Sequence, residues 1–105
     1  MNDIKCGDIW RSIWGCEQTN VDFYEVTRVT KTTVTLSELD RFTCYDPKTM
    51  TGTTKPIPGA YVNHPIRRKI RRGLDGEPYV SMANYSMAPV IRPYHGEVLH
   101  YSDYA

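Results

Sequence analysis

Residues 20–39 read NVDFYEVTRVTKTTVTLSEL. In the second half, Val34 and Leu36 alternate with Thr33, Thr35 and Ser37, which is the two-residue period of a strand with one face buried. The first half, residues 20–30, crowds Val21, Phe23, Tyr24, Val26 and Val29 into a run of β-branched and aromatic side chains, a composition that suits a strand and disfavours a helix. Its alternation slips between Phe23 and Val26, where a single bulge accounts for the irregularity. With Thr30-Lys31-Thr32 as the connection, the stretch predicts a β-hairpin.

Upstream, residues 7–14 (GDIWRSIW) predict a first strand, closed by a glycine-centred turn at Trp14-Gly15-Cys16. Downstream, the pattern fades: residues 40–59 hold three Pro, two Gly and five Thr, which is loop chemistry. A long loop is expected there, of the kind that is either functional or poorly ordered and so a candidate contact surface, with Pro56 and Pro58 restricting its second half to an edge. Residues 66–72 alternate again, with Ile66, Arg68, Ile70 and Arg72 on one face and Arg67, Lys69 and Arg71 on the other. Gly73 and Asp75-Gly76 predict a turn, EPYVSM a return strand, and the Pro89, Pro93 and His95-Gly96 signals short strands to the end. Only ANYSMA has room for a helical turn. Five or six short antiparallel strands with a long loop and no amphipathic helix predict an all-β fold, a small SH3-like barrel or, almost equally well, an OB-like one.

A chain of 105 residues and 12.1 kDa with 40% hydrophobic and 24% charged residues predicts one domain over residues 1–105, neither disordered nor coiled coil. Eight Tyr and two Trp against two Phe put the aromatic weight in side chains that keep one polar end, which fits a half-open sheet. No run approaches the roughly 18 apolar residues of a membrane span, and the first residues hold no apolar signal stretch, so a cytoplasmic setting without membrane contact is expected. Cys6, Cys16 and Cys44 are odd in number and unpaired in spacing, and His64, His95 and His100 add no ligand pattern, so no metal or other cofactor is expected.

The net charge of +1 hides an asymmetry. Residues 1–46 carry eight acids and five bases, whereas residues 47–105 carry four acids and eight bases. Five of those bases, Arg67, Arg68, Lys69, Arg71 and Arg72, stand in the phrase HPIRRKIRRG. Alternate residues on one strand face are about 6.6 Å apart, so Arg67, Lys69 and Arg71 would form a row matched to phosphates along a single strand, with Tyr61, Tyr79 or Tyr85 for base stacking. The bland alternative is a sheet edge kept soluble by cations. A second candidate is the connection from Trp14 to Asn20, where Trp14 supplies a stacking wall and Gln18 and Asn20 supply amide donors and acceptors; the bland alternative is a turn satisfying its own backbone. Asp8, Glu17 and Asp22 are acids that a magnesium-dependent enzyme would need to gather, and scattered surface acids are the simpler reading. No phosphate loop, nucleophile elbow or dinucleotide fingerprint is present, so no catalytic residue is assigned.

The phrase GDIWRSIWGCEQTNVDFYEVTRVTKTTVTLSEL resembles the opening of a family of small bacteriophage and mobile-element proteins of uncharacterised activity. Its pattern is a Gly-Asp-Ile start, Trp-Gly, Gln-Thr-Asn and a Phe-Tyr-x-Val strand, and the likeness continues in KPIPGAYVNHPIRRKI and EPYVSMANYSMA. Cys16 and the phrase PVIRPYHGE depart from it, each where an aromatic residue is expected. The resemblance implies a phage setting in the bacterial host cytoplasm. There a small β-domain binds nucleic acid or a host complex that handles it, in some cases as an inhibitor of host defence. Enzymatic action on nucleic acid or a nucleotide through residues 17–22, and a purely protein-interaction or self-assembly role, are the other two readings.

Overall fold

The computed structural model describes residues 4–15, 19–82 and 88–102. Among them every regular element is a strand: β1 (Ile9–Trp14), β2 (Asn20–Val29), β3 (Thr33–Asp46), β4 (Thr51–Tyr61), β5 (Ile66–Lys69), β6 (Arg71–Arg72), β7 (Pro78–Ser81), β8 (Val90–Pro93) and β9 (Leu99–Ser102). All ladders are antiparallel, in the order β6-β7-β8-β1-β2-β3-β4-β9, with β5 paired to β3. The all-β expectation holds, while the strand count exceeds the five or six expected and the hydrogen-bonded path runs open from β6 to β9. The segment ANYSMA lies mostly outside the described residues.

The expected β2–β3 hairpin is present, its Val29↔Val34 pair closed by Thr30 and Thr33, whose hydroxyls are 2.6 Å apart. The reason for its irregular pattern differs from the one expected. Register runs unbroken through Phe23, Tyr24, Glu25 and Val26, and the bulge falls later, between Val26 and Arg28. Phe23 and Tyr24 are both buried because both faces of the strand are covered. On one face, Trp10, Tyr24, Val26, Val34 and Leu36 pack with Val80 and Ile91, supported by Ile66, Ile70 and Met82. On the reverse face, Val21, Phe23 and Leu39 pack with Leu99, flanked by Ile9, Tyr94 and Tyr101. Phe23 meets Tyr94 edge-on at 5.2 Å between ring centroids.

The loop expected at residues 40–59 is a hairpin. β3 continues to Asp46 and β4 returns from Thr51 through a turn at residues 47–50, where the Asp46 carboxylate accepts the Lys48 amide and Met50 takes a positive φ of 54°. Threonine-rich, weakly apolar strands carry no periodic signal, which is why composition reads them as loop. Pro56 and Pro58 are compatible with β4 because β9 pairs only Thr51–Thr54, leaving the prolines beyond that ladder. Gly52 is required at its place: a Cβ there would lie 2.6 Å from the Tyr101 ring and from the Cys44 carbonyl oxygen.

Two clusters on opposite faces of one hairpin make a specific expectation. Phe23→Ala and Leu36→Ala should each cost about 3 kcal/mol in chemical denaturation, in a single transition. A loss below about 1 kcal/mol at Phe23 would mean that the reverse-face cluster is not part of the core.

Candidate nucleic-acid interface

The reverse face is covered only in part. Its apolar half lies toward the start of β2, under β9 and Tyr94. Toward the β2–β3 turn the covering ends and the face turns cationic. The bulge at Thr27 shifts the alternation of β2 by one, so that Arg28 pairs with Thr35, which in turn pairs with Arg67 on β5. Arg28 and Arg67 thus flank Thr35 in one row across three strands, about 10 Å apart at the backbone, since neighbouring strands are about 4.8 Å apart. Lys69, paired with Thr33, extends the patch along β5.

The alternation expected for the basic segment is present over Ile66–Lys69: Ile66 and Arg68 are half-buried, Arg67 and Lys69 exposed. Ile66 and Ile70 pack into the first cluster, which turns Arg67 and Lys69 outward. At Ile70, whose amide donates to the Thr32 carbonyl, the chain leaves β3, and Arg71–Arg72 pair instead with β7. The row is therefore bent between two ladders rather than straight. Past the bend, Arg71 is the partner of Tyr79, Tyr79 stands beside Arg92, and Arg92 is the partner of Arg11. Because Val80 and Ile91 point into the first cluster, Tyr79 and Arg92 point away from it. The Arg92 guanidinium lies 5.1 Å from the centroid of the Tyr79 ring.

Two of the five clustered bases serve the fold. Arg68 donates from Nε and Nη2 to the Met82 carbonyl at 3.3 and 3.1 Å, tying β5 to the end of β7, and Arg72 donates to the Gly76 carbonyl at 3.0 Å inside the expected glycine turn. Arg28, Arg67, Lys69, Arg71 and Arg92 form no ion pair among the described residues, where the two salt bridges are Arg11–Glu97 and Arg41–Asp22.

The Trp14–Asn20 candidate lies elsewhere. Trp14 and Asn20 are register partners on the Tyr24 face, at the opposite end of β2 from Arg28. Eight residues separate Asn20 from Arg28, or about 27 Å of strand. The indole N–H of Trp14 donates to one oxygen of Asp22 at 2.7 Å, and Arg41 donates to the other at 3.0 Å. Gln18, with Cys16 and Glu17, lies outside the described residues. The Asp8 carbonyl accepts the Val26 amide, which places Asp8 well along β2 from Asp22. Among the stacking candidates, Tyr79 joins the cationic row. Tyr61 instead donates its hydroxyl to Glu25 at 2.6 Å, a bond that raises its pKa, and Tyr85 lies outside the described residues. Arg28, Arg92 and Arg11 carry no signal of their own in the sequence, since only strand pairing brings them beside Arg67 and Arg71.

The chain matches no protein-family model, no curated protein and no solved structure.

The turn after β8 has its own electrostatic signature. Burial disfavours ionised Glu97, but the backbone amides of Glu97 and His95, with Arg11, more than offset it and hold the carboxyl below its ordinary value of 4.5. A depressed pKa contributes stability that is complete above the ordinary value and is lost as pH falls through the folded one. Denaturation of the wild type and Glu97→Gln across acidic pH should therefore show the wild type more stable at neutral pH, with the difference closing at low pH. A difference independent of pH would contradict this assignment.

Proposed function

We propose that this protein is a small binding module of the phage type that holds nucleic acid, without sequence preference, on the cationic reverse face. The observation that carries the reading is that Arg67, Lys69 and Arg71 are exposed and unpaired among the described residues, with Arg28 and Arg92 brought beside them by register. Like charges gathered on one face repel one another unless a counter-charge meets them. A phosphate backbone is such a counter-charge, and Tyr79 offers an aromatic surface beside it. Cations that only protect an edge have no need of a companion on an interior strand, yet Arg28 on β2 faces Arg67 on β5 across Thr35. The architecture we propose is SH3- or OB-like, with β5 and β6 as two halves of one strand bent at Ile70 around the first cluster. The setting is the cytoplasm of a bacterial host, where the partner is nucleic acid or a complex that handles it, and inhibition of host defence is one use of such binding. Enzymatic action through residues 17–22 draws less support, because both Asp22 oxygens are engaged by Trp14 and Arg41.

Fluorescence anisotropy with a labelled single-stranded oligonucleotide tests the proposal. Neutralising about five phosphates predicts a slope of about −3.5 for log affinity against log salt. Arg67→Glu combined with Lys69→Glu should weaken binding at low salt by about a hundredfold or more. Absence of binding at low salt, or binding indifferent to that double substitution, would refute it.

A further inference from the structure

β1 and β8 bring two arginines side by side. Arg11 and Arg92 are register partners, a like-charge pairing that adjacent strands ordinarily avoid. Arg11 Nε is buried without a hydrogen bond and reaches the Glu97 carboxylate only at 3.8 Å. Arg11, Arg92 and His95 line a recess of about 150 Å³, with Asp75 and Glu77 also on its wall. A wider recess of about 330 Å³ shares Glu77, Pro93 and His95 with the first. Its remaining wall includes Pro78 and Tyr94, with Asp8 nearby.

We infer that the two recesses form a site for one nucleotide unit, its phosphate on Arg11 and Arg92 and its base in the wider recess against Pro78, Pro93 and Tyr94. The inference rests on the polyanion reading for its choice of phosphate and adds a discrete, saturable site to it. A guanidinium pair supplies several charge-assisted donors to phosphate oxygens. The wider recess is lined largely by apolar residues, with Asp8 in its wall; Glu77 lines both recesses and Asp75 the smaller one. A carboxylate beside the base accepts a hydrogen bond from the amino group of cytosine or adenine, while the arginine pair that draws the phosphate lines only the smaller recess, and this orients the nucleotide. Uracil, lacking an exocyclic amine, is the base this arrangement favours least. The phosphate belongs either to a free mononucleotide or to the end of a strand.

Isothermal titration of the full chain with AMP, CMP and UMP, and with adenosine, tests the site. AMP or CMP should bind saturably, with adenosine and UMP weaker by about tenfold each. Arg92→Gln should weaken AMP about tenfold, and Glu77→Gln, an exposed and structurally mild change, should abolish the preference for AMP over UMP. A 5′-phosphorylated oligonucleotide binding more tightly than its 5′-hydroxyl form identifies the strand end as the source, and equal binding identifies the free nucleotide. The site is overturned if no mononucleotide gives saturable heat at millimolar concentration, or if neither variant alters binding. Should that occur while oligonucleotide binding still responds to Arg67→Glu with Lys69→Glu, the nucleotide site fails and the polyanion reading stands. If AMP binding is retained while the oligonucleotide ignores that double variant, the nucleotide site stands and the polyanion reading fails.

Discussion

Burial of both faces of the β2–β3 hairpin is the constraint on which the rest of the molecule depends. A strand covered on one side only can slip by one residue and exchange its faces at the cost of its buried set. Here the slip would move Val21 and Phe23 into the place of Tyr24 and Val26 and the reverse, mismatching two clusters at once, so register is held from two directions. Every element that follows is placed by this hairpin: β1 along one side, β5 and then β4 along the other side of β3, and β9 over the reverse face. β3 can serve two partners on one edge because it is 14 residues long, with its first half paired to β5 and its second to β4.

The same constraint sets the electrostatics. Ile66 and Ile70 complete the first cluster, and the alternation of an extended chain then leaves Arg67 and Lys69 no direction but outward. One extra residue in β2 at Thr27 moves Arg28 onto the same face. A chain with net charge +1 thereby acquires a local surface of one sign, while two of its acids are engaged in structural bonds: Asp22 to Trp14 and Arg41, and Glu25 to Tyr61 and the Gly59 amide. Local fields of this kind, rather than overall charge, govern encounters with polyanions.

The parts legible in the sequence were those written in local periodicity. Val34 and Leu36 marked β3, the Asp75-Gly76 and His95-Gly96 turns appear with positive φ at both glycines, and the alternation in IRRK was readable residue by residue. What was not legible depends on pairing between distant segments. The adjacency of Phe23 and Tyr24 looked like a bulge because a second buried face cannot be inferred until Leu99 and Tyr94 are known to cover it. The β3–β4 extension was hidden by threonines and prolines, and Arg28 and Arg92 gain meaning only beside Arg67 and Tyr79.

The central claim is that the basic segment is an extended strand held by its isoleucines, and cysteine accessibility tests it most directly. Ile66→Cys, Arg67→Cys, Lys69→Cys and Ile70→Cys, each made in a background where Cys6, Cys16 and Cys44 are serine, would be alkylated under native conditions and their rates compared. The account predicts fast modification at 67 and 69 and slow modification at 66 and 70. Uniform rates, or protection of 67 and 69 with exposure of 66 and 70, would contradict it.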